Sequence, residues 1–149
     1  MRLSAILVSL SSLFATSLAG NSNVKNNCPY DVSLWSVDSN GPGSETRLAR
    51  NGGWWSQPYR SVNNQGIAIK ITRDVNGIYE AGEPQLIESY ALSGGAVWYD
   101  LNVVMGDPGI PVTVKPSAYQ GGNCHDAYVR QGNGNCNSGV DLTMYLCSW

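Results

Sequence analysis

Apolar and polar positions along the chain alternate in short runs that are broken at close intervals by Gly, Asn, Asp and Pro. Residues 22–28 and 30–37 read as strands, the second rich in β-branched and aromatic side chains, with Pro29 between them. Asn40-Gly41-Pro42-Gly43 then reads as a turn, and Asn51-Gly52-Gly53 separates Thr46–Ala49 from Trp54–Tyr59. In residues 66–72 (GIAIKIT) apolar and polar positions alternate, apart from Ala68. Asn76-Gly77 stands between two strand-like runs and predicts a tight hairpin. Residues 86–92 and 96–104 flank Ser93-Gly94-Gly95, and residues 111–115 and 140–147 supply the last strands. No segment carries a sustained apolar stripe of helical period with caps. Turn signals at this spacing predict an all-β fold, an antiparallel sandwich or flattened barrel. Residues 117–139 are the irregular region.

The amino-terminal run is of a different kind. Residues 1–19 begin with a basic Arg2, continue through an apolar, serine-diluted stretch and end in Ser17-Leu18-Ala19. They read as a secretory signal peptide, too short and too polar for a membrane anchor. Residues 20–149 are then the mature domain, with eight basic against eleven acidic side chains, a charge of −3. Charged residues are only 13% of the chain, and no basic surplus exists to meet phosphates, so nucleic-acid binding is excluded. Phe14, the one phenylalanine, lies in the signal, so the other thirteen aromatics are Trp or Tyr, side chains suited to half-buried faces and to stacking on sugar rings.

Export changes the reading of Cys28, Cys124, Cys136 and Cys147. An even count in a secreted chain implies two disulfides, and three connectivities are open. Sequence proximity favours Cys124–Cys136. Cys28–Cys147 would tie the first strand to the last, worth roughly 4–5 kcal/mol on the chain-entropy view, against about 3 for the short loop. The absence of a CxxC pair and the presence of a single histidine, His125, speak against zinc and against a histidine-based nucleophile system. Asp74-x-Asn76-Gly77 resembles part of a calcium loop, but Ile78 falls where an oxygen ligand is needed. No metal and no cofactor are expected. The chemistry left is that of carboxylates: Glu80, Glu83, Glu88, Asp100 and Asp107 fall close together, and a pair of them at the right separation could hydrolyse a glycoside.

Val24-Lys25-Asn26-Asn27-Cys28-Pro29-Tyr30-Asp31-Val32, followed by Trp35, resembles the start of a thaumatin-like protein. Thr46–Arg50 with Gly53-Trp54-Trp55, Gln85–Leu92 and Trp98–Val103 are similar to later strands of that family, and the stretch from Gly77 to Pro108 resembles its short fungal branch, the yeast-phase-specific antigenic thaumatin-like proteins. The resemblance implies a disulfide-clamped β-sandwich with a surface cleft, and the final cysteine stands where the family pairs its first with its last. In larger members the cleft holds one arginine, one glutamate and three aspartates and is tied to β-1,3-glucan. Glu88 matches the glutamate and Asp100 the first aspartate, whereas Met105 stands at the second aspartate and Ile67 near the arginine.

The expected function is therefore binding rather than catalysis, by a small extracellular protein associated with the cell wall, antigen- or effector-like. Trp54, Trp55 and Tyr59 are the expected contacts, with Glu88 and Asp100 bordering a groove. Expected partners are β-glucan, another cell-wall polysaccharide or a host protein, without nucleic acid or membrane, and the expected state is a monomer. The alternatives are a weak β-1,3-glucan hydrolase with Glu88 as acid and Asp100 as base or nucleophile, and an inhibitor of a host hydrolase acting through residues 117–139.

Overall fold

The computed structural model describes residues 19–148; the expected signal peptide, apart from Ala19, lies outside the described residues. The strands are β1 (Asn21–Asn26), β2 (Val32–Asp38), β3 (Gly41–Pro42), β4 (Thr46–Leu48), β5 (Gly53–Pro58), β6 (Ile67–Thr72), β7 (Gln85–Ser93), β8 (Ala96–Val104), β9 (Val112–Pro116), β10 (Gly134–Asn137) and β11 (Leu142–Leu146). They form two sheets, β5-β1-β11-β9 and β10-β8-β7-β6-β2-β3, with β4 also paired to β2. Every pairing is antiparallel except β1 with β11, which is parallel. No helix among the described residues is long and apolar enough to cross a membrane.

Alternation explains how the sheets stack. One face of each strand carries the apolar set, and facing sheets bury those sets against each other. Val24, Val114, Leu142, Met144 and Leu146 come from the smaller sheet; Leu34, Ile67, Ile69, Ile71, Leu86, Val97 and Leu101 come from the larger, all buried. The parallel pair needs a distant partner, and the last strand provides it, with Ser22 opposite Leu142 and Asn26 opposite Leu146. Just beyond that pair Cys28 bonds Cys147, with Cα atoms 5.0 Å apart, and Cys124 bonds Cys136 with Cα atoms 4.6 Å apart.

Two local expectations need correction. Asn76-Gly77 does not close a two-residue hairpin. β6 ends at Thr72, β7 begins at Gln85, and Asn76, with φ 57°, instead leads a 3-10 turn over Gly77–Tyr79. A Cβ on Gly77 would collide with the Thr72 side chain, so the glycine serves close packing here. The longer connection lays the Tyr79 ring edge-on over Trp35, centroids 6.5 Å apart, and Trp35 is fully buried on what would otherwise be an open sheet face. The second correction is β10, a strand inside residues 117–139. Its sequence, Gly-Asn-Cys-Asn, has no alternating apolar signal, and it becomes a strand by adding to the edge of β8 while the Cys124–Cys136 bond holds it there.

Candidate functional site

The outward face of the larger sheet is built in rows. The register sets Val37 beside Ala68, Ala68 beside Ser89, and Ser89 beside Asp100. In the next row Ala91 lies opposite Trp98, which lies opposite Asn135. Small side chains on the middle strands, Gly66, Ala68, Ser89 and Ala91, leave a trough between taller walls. A groove of about 470 Å³ results, with Trp98, Asp100 and Asn133 on one side and Val37, Asp38, Ser39 and Gln65 on the other. The Trp35–Tyr79 cover lies on the same face one row beyond, at Lys70 and Ile87. Trp98 is 46% exposed, an aromatic ring held open on a rigid strand.

The same alternation sends Glu88 the other way. On β7 Leu86, Glu88 and Tyr90 face the core, while Ser89 and Ala91 face out. Glu88 stands opposite Leu101, and Ser89, not Glu88, stands opposite Asp100. The two carboxylates expected to border one groove therefore lie on opposite faces of the sheet, because they occupy adjacent register positions and side chains in a strand change face at every residue. Glu88 is fully buried between the sheets. Ser22 Oγ of β1 donates to its Oε2 at 3.3 Å, and its Oε1 has no hydrogen-bond partner. Burial pushes its carboxyl up to about 8, the Ser22 hydroxyl opposing this only partly. A protonated acid in that place is a core group.

Of the expected aromatic contacts, Trp54 and Trp55 are neighbours on β5 and point to opposite faces. Trp54 is 54% exposed and Trp55 packs on the core. Tyr59 is buried, its hydroxyl donating to the Val140 carbonyl at 2.9 Å and its ring 5.0 Å from that of Tyr90. The three form no platform, and none lines the groove. Trp98 was the missed residue, and its signal was legible: in Val97–Asn102 the apolar residues Val97, Tyr99 and Leu101 set the inward phase, so Trp98 must share the face of Asp100.

The carboxylates at the groove are each held by donors of their own. Arg60 Nη1 lies 2.6 Å from Asp38 Oδ2, and that bond, with the Asn40 backbone N–H, holds the Asp38 carboxyl below its ordinary value. Asp100 Oδ1 accepts from the Leu101 backbone N–H at 2.9 Å, and its other oxygen accepts from the Asn102 amide. β8 and β2 are three strand spacings apart, so the backbones bearing Asp100 and Asp38 are separated by roughly 14 Å. A glycosidase pair needs its carboxyls roughly 5–9.5 Å apart, with one held neutral. Here the neutral acid is in the core and the groove carboxylates are tied to donors. No group of three or more His, Cys, Asp or Glu among the described residues is placed to hold a metal.

Residues 117–139 form the rim beyond β8. The Tyr99 hydroxyl donates to the His125 carbonyl and accepts from the His125 N–H at 3.1 Å, while Tyr119 donates to Asp126 at 2.9 Å. His125 is thereby part of the loop's anchorage, with its Nδ1 2.7 Å from the Asp126 carbonyl oxygen.

Comparison with known proteins agrees with this architecture. The profile of the family described as "Bys1: Blastomyces yeast-phase-specific protein" matches residues 9–148. An antigenic thaumatin-like protein of Arthroderma benhamiae is 29% identical over 163 aligned positions, which take in 98% of this chain and 80% of that protein. Among solved structures, the protein elicitor MoHrip2 from Magnaporthe oryzae superposes with a TM-score of 0.65 at 20% identity, over 87% of this chain and all of that one. The thaumatin-like xylanase inhibitor TLXI superposes with a TM-score of 0.60 at 18% identity, over 85% of this chain and 99% of that one. The fold is that of thaumatin-like proteins.

Proposed function

The chain belongs to the Blastomyces yeast-phase-specific protein family, and from that premise we propose that it is a secreted protein that binds a cell-wall glycan, β-1,3-glucan first, without catalysis. The observation that carries this reading is the pairing of an exposed Trp98 with Asp100 above a floor of Gly66, Ala68, Ser89 and Ala91. A sugar ring presents an apolar face to stack on an indole and hydroxyls to bond a carboxylate, an amide or Ser89. The floor supplies space without bulky side chains. Asp38 offers an acceptor on the far wall. Two disulfides and the candidate leader at residues 1–19 fit an extracellular setting.

Pull-down with insoluble β-1,3-glucan, with chitin alongside, tests the reading. Wild type is expected in the glucan pellet. Trp98→Ala should weaken retention about tenfold, since ring stacking adds about 0.5–1.5 kcal/mol to the area it buries. Trp54→Ala, outside the groove, should leave retention unchanged. Wild-type protein wholly in the supernatant, or equal retention of the Trp98 and wild-type chains, overturns the proposal.

A second reading follows from the fold relatives: one is an elicitor and one a xylanase inhibitor, so a protein target of the rim at residues 117–139 is the alternative. Co-purification with a hydrolase, insensitive to Trp98→Ala, would favour it.

A further inference from the structure

A second concavity, of about 710 Å³, opens where the β1–β2 and β4–β5 connections meet the end of β6, and three of the five arginines after residue 20 line it: Arg47, Arg50 and Arg73. We propose that it is a binding site for a carboxylate-bearing sugar, a uronate within an acidic oligosaccharide, separate from the groove beside Trp98.

The walls are rigid. The buried side-chain amide of Asn26 lies 3.0–3.1 Å from the carbonyls of Tyr30, Leu48 and Ala49 and so locks the two connections together. Arg47 Nη1 donates to Ser33 Oγ at 2.8 Å and to the Arg73 carbonyl at 3.1 Å. Arg73 is held over the Tyr30 ring at 4.1 Å, and the Tyr30 hydroxyl lies 3.6 Å from Cys147 Sγ of the terminal clasp. The Arg50 backbone N–H bonds Asp31 Oδ1 at 2.9 Å, whereas its guanidinium has no hydrogen bond or ion pair among the described residues. A chain of net negative charge has thus gathered three cations about one opening, with Arg47 and Arg73 held in place and the Arg50 guanidinium free of partners among the described residues. Like charges so placed repel, and an anion is what relieves them.

The other lining residues select the kind of anion. Asp31 and Asp74 stand among the arginines, with Asp31 Oδ2 4.0 Å from Arg47 Nε. They leave a local excess of one positive charge, too little for a densely phosphorylated or sulfated chain. One carboxylate flanked by neutral hydroxyls fits better: the planar guanidinium forks take the carboxylate and the Asp74 carboxylate accepts the hydroxyls.

The test is titration of the full, disulfide-intact chain with trigalacturonate and, separately, with the neutral galactotriose, followed by NMR. Saturable binding of the acid alone is expected, with the Arg50 and Arg73 Nε–H signals moving. Arg50→Gln should weaken it about tenfold, the usual loss for a charge-assisted bond. Because that guanidinium bonds nothing in the fold, the variant keeps its structure. Raising salt from about 0.05 to about 0.5 M should weaken binding severalfold, and Trp98→Ala should leave it unchanged. No binding, equal binding of the neutral sugar, insensitivity to Arg50→Gln and Arg73→Gln in folded protein, or loss on Trp98→Ala overturns the assignment. Tighter binding of pentaglutamate than of trigalacturonate overturns it in favour of an acidic protein.

Discussion

β7 and β8 present a carboxylate to each side of the larger sheet, and the two meet different media. On the inner side Glu88 is wholly buried, takes one hydrogen bond from Ser22 and keeps its proton to about pH 8. On the outer side Asp100 borders water, accepts a backbone N–H and an amide, and shares its face with an open indole. One register position separates them. The difference teaches that a carboxylate's role in a sheet follows from which face receives it: the inner face turns an acid into a neutral packing group, while the outer one leaves it as an acceptor for hydroxyls.

The sharpest way to break this contrast is to shorten an inward neighbour and an outward one. Leu101→Ala, beside Glu88, should cost about 2–5 kcal/mol in urea unfolding, whereas Asn102→Ala on the exposed face should stay within about 0.5 kcal/mol. Similar losses from both would mean that the faces are not distinct.

A second approach uses pH. The folded-state pKa of Glu88, about 8, lies above its ordinary 4.5, so between those values the folded chain keeps a proton that the unfolded chain has released. Its contribution to stability is full below about pH 4.5, is lost as pH rises toward 8, and changes little beyond. The slope in that window is on the order of 1 kcal/mol per pH unit. Glu88→Gln, neutral throughout, should match wild type near pH 4.5 and exceed it near pH 8 in denaturant midpoint. Parallel curves for Glu88→Gln and wild type would place Glu88 in a more solvated site than the structure gives it.

The smallest effect is expected at the groove's far wall. Asp38 and Arg60 form an ion pair at the surface, where water and salt screen the charges and little stability results. Asp38→Asn should therefore leave thermal unfolding almost unchanged. A large loss would mean that the wall is part of the frame and not a polar edge of the groove.

Legibility varied from strand to strand for physical reasons. In β8 the phase is unambiguous, since Val97, Tyr99 and Leu101 can only be the inner set, and Trp98 with Asp100 then follow. In β7 both faces hold apolar residues, Leu86 and Tyr90 on one and Ile87 and Ala91 on the other, so alternation by itself could not assign Glu88. Resemblance to a cleft glutamate pointed outward, and the register with β8 decided otherwise. Trp54, Trp55 and Tyr59 misled for a similar reason: adjacent aromatics look like a cluster in sequence, but a strand sends Trp54 and Trp55 to opposite sides. β10 was illegible because Gly-Asn-Cys-Asn carries no side-chain pattern, and its pairing comes from the edge of β8, far from it in sequence, to which it is held by the local Cys124–Cys136 bond.

By itself the order of residues determined the all-β class, most strand positions, the thaumatin-like resemblance and the cysteines available for pairing, because alternation, turn chemistry and motif spacing are local properties. Only the tertiary structure decided which carboxylate meets solvent, which tryptophan stands open over a groove, and which arginines converge at the terminal clasp. Those outcomes depend on strand register and sheet stacking, where a shift of one residue exchanges core for surface.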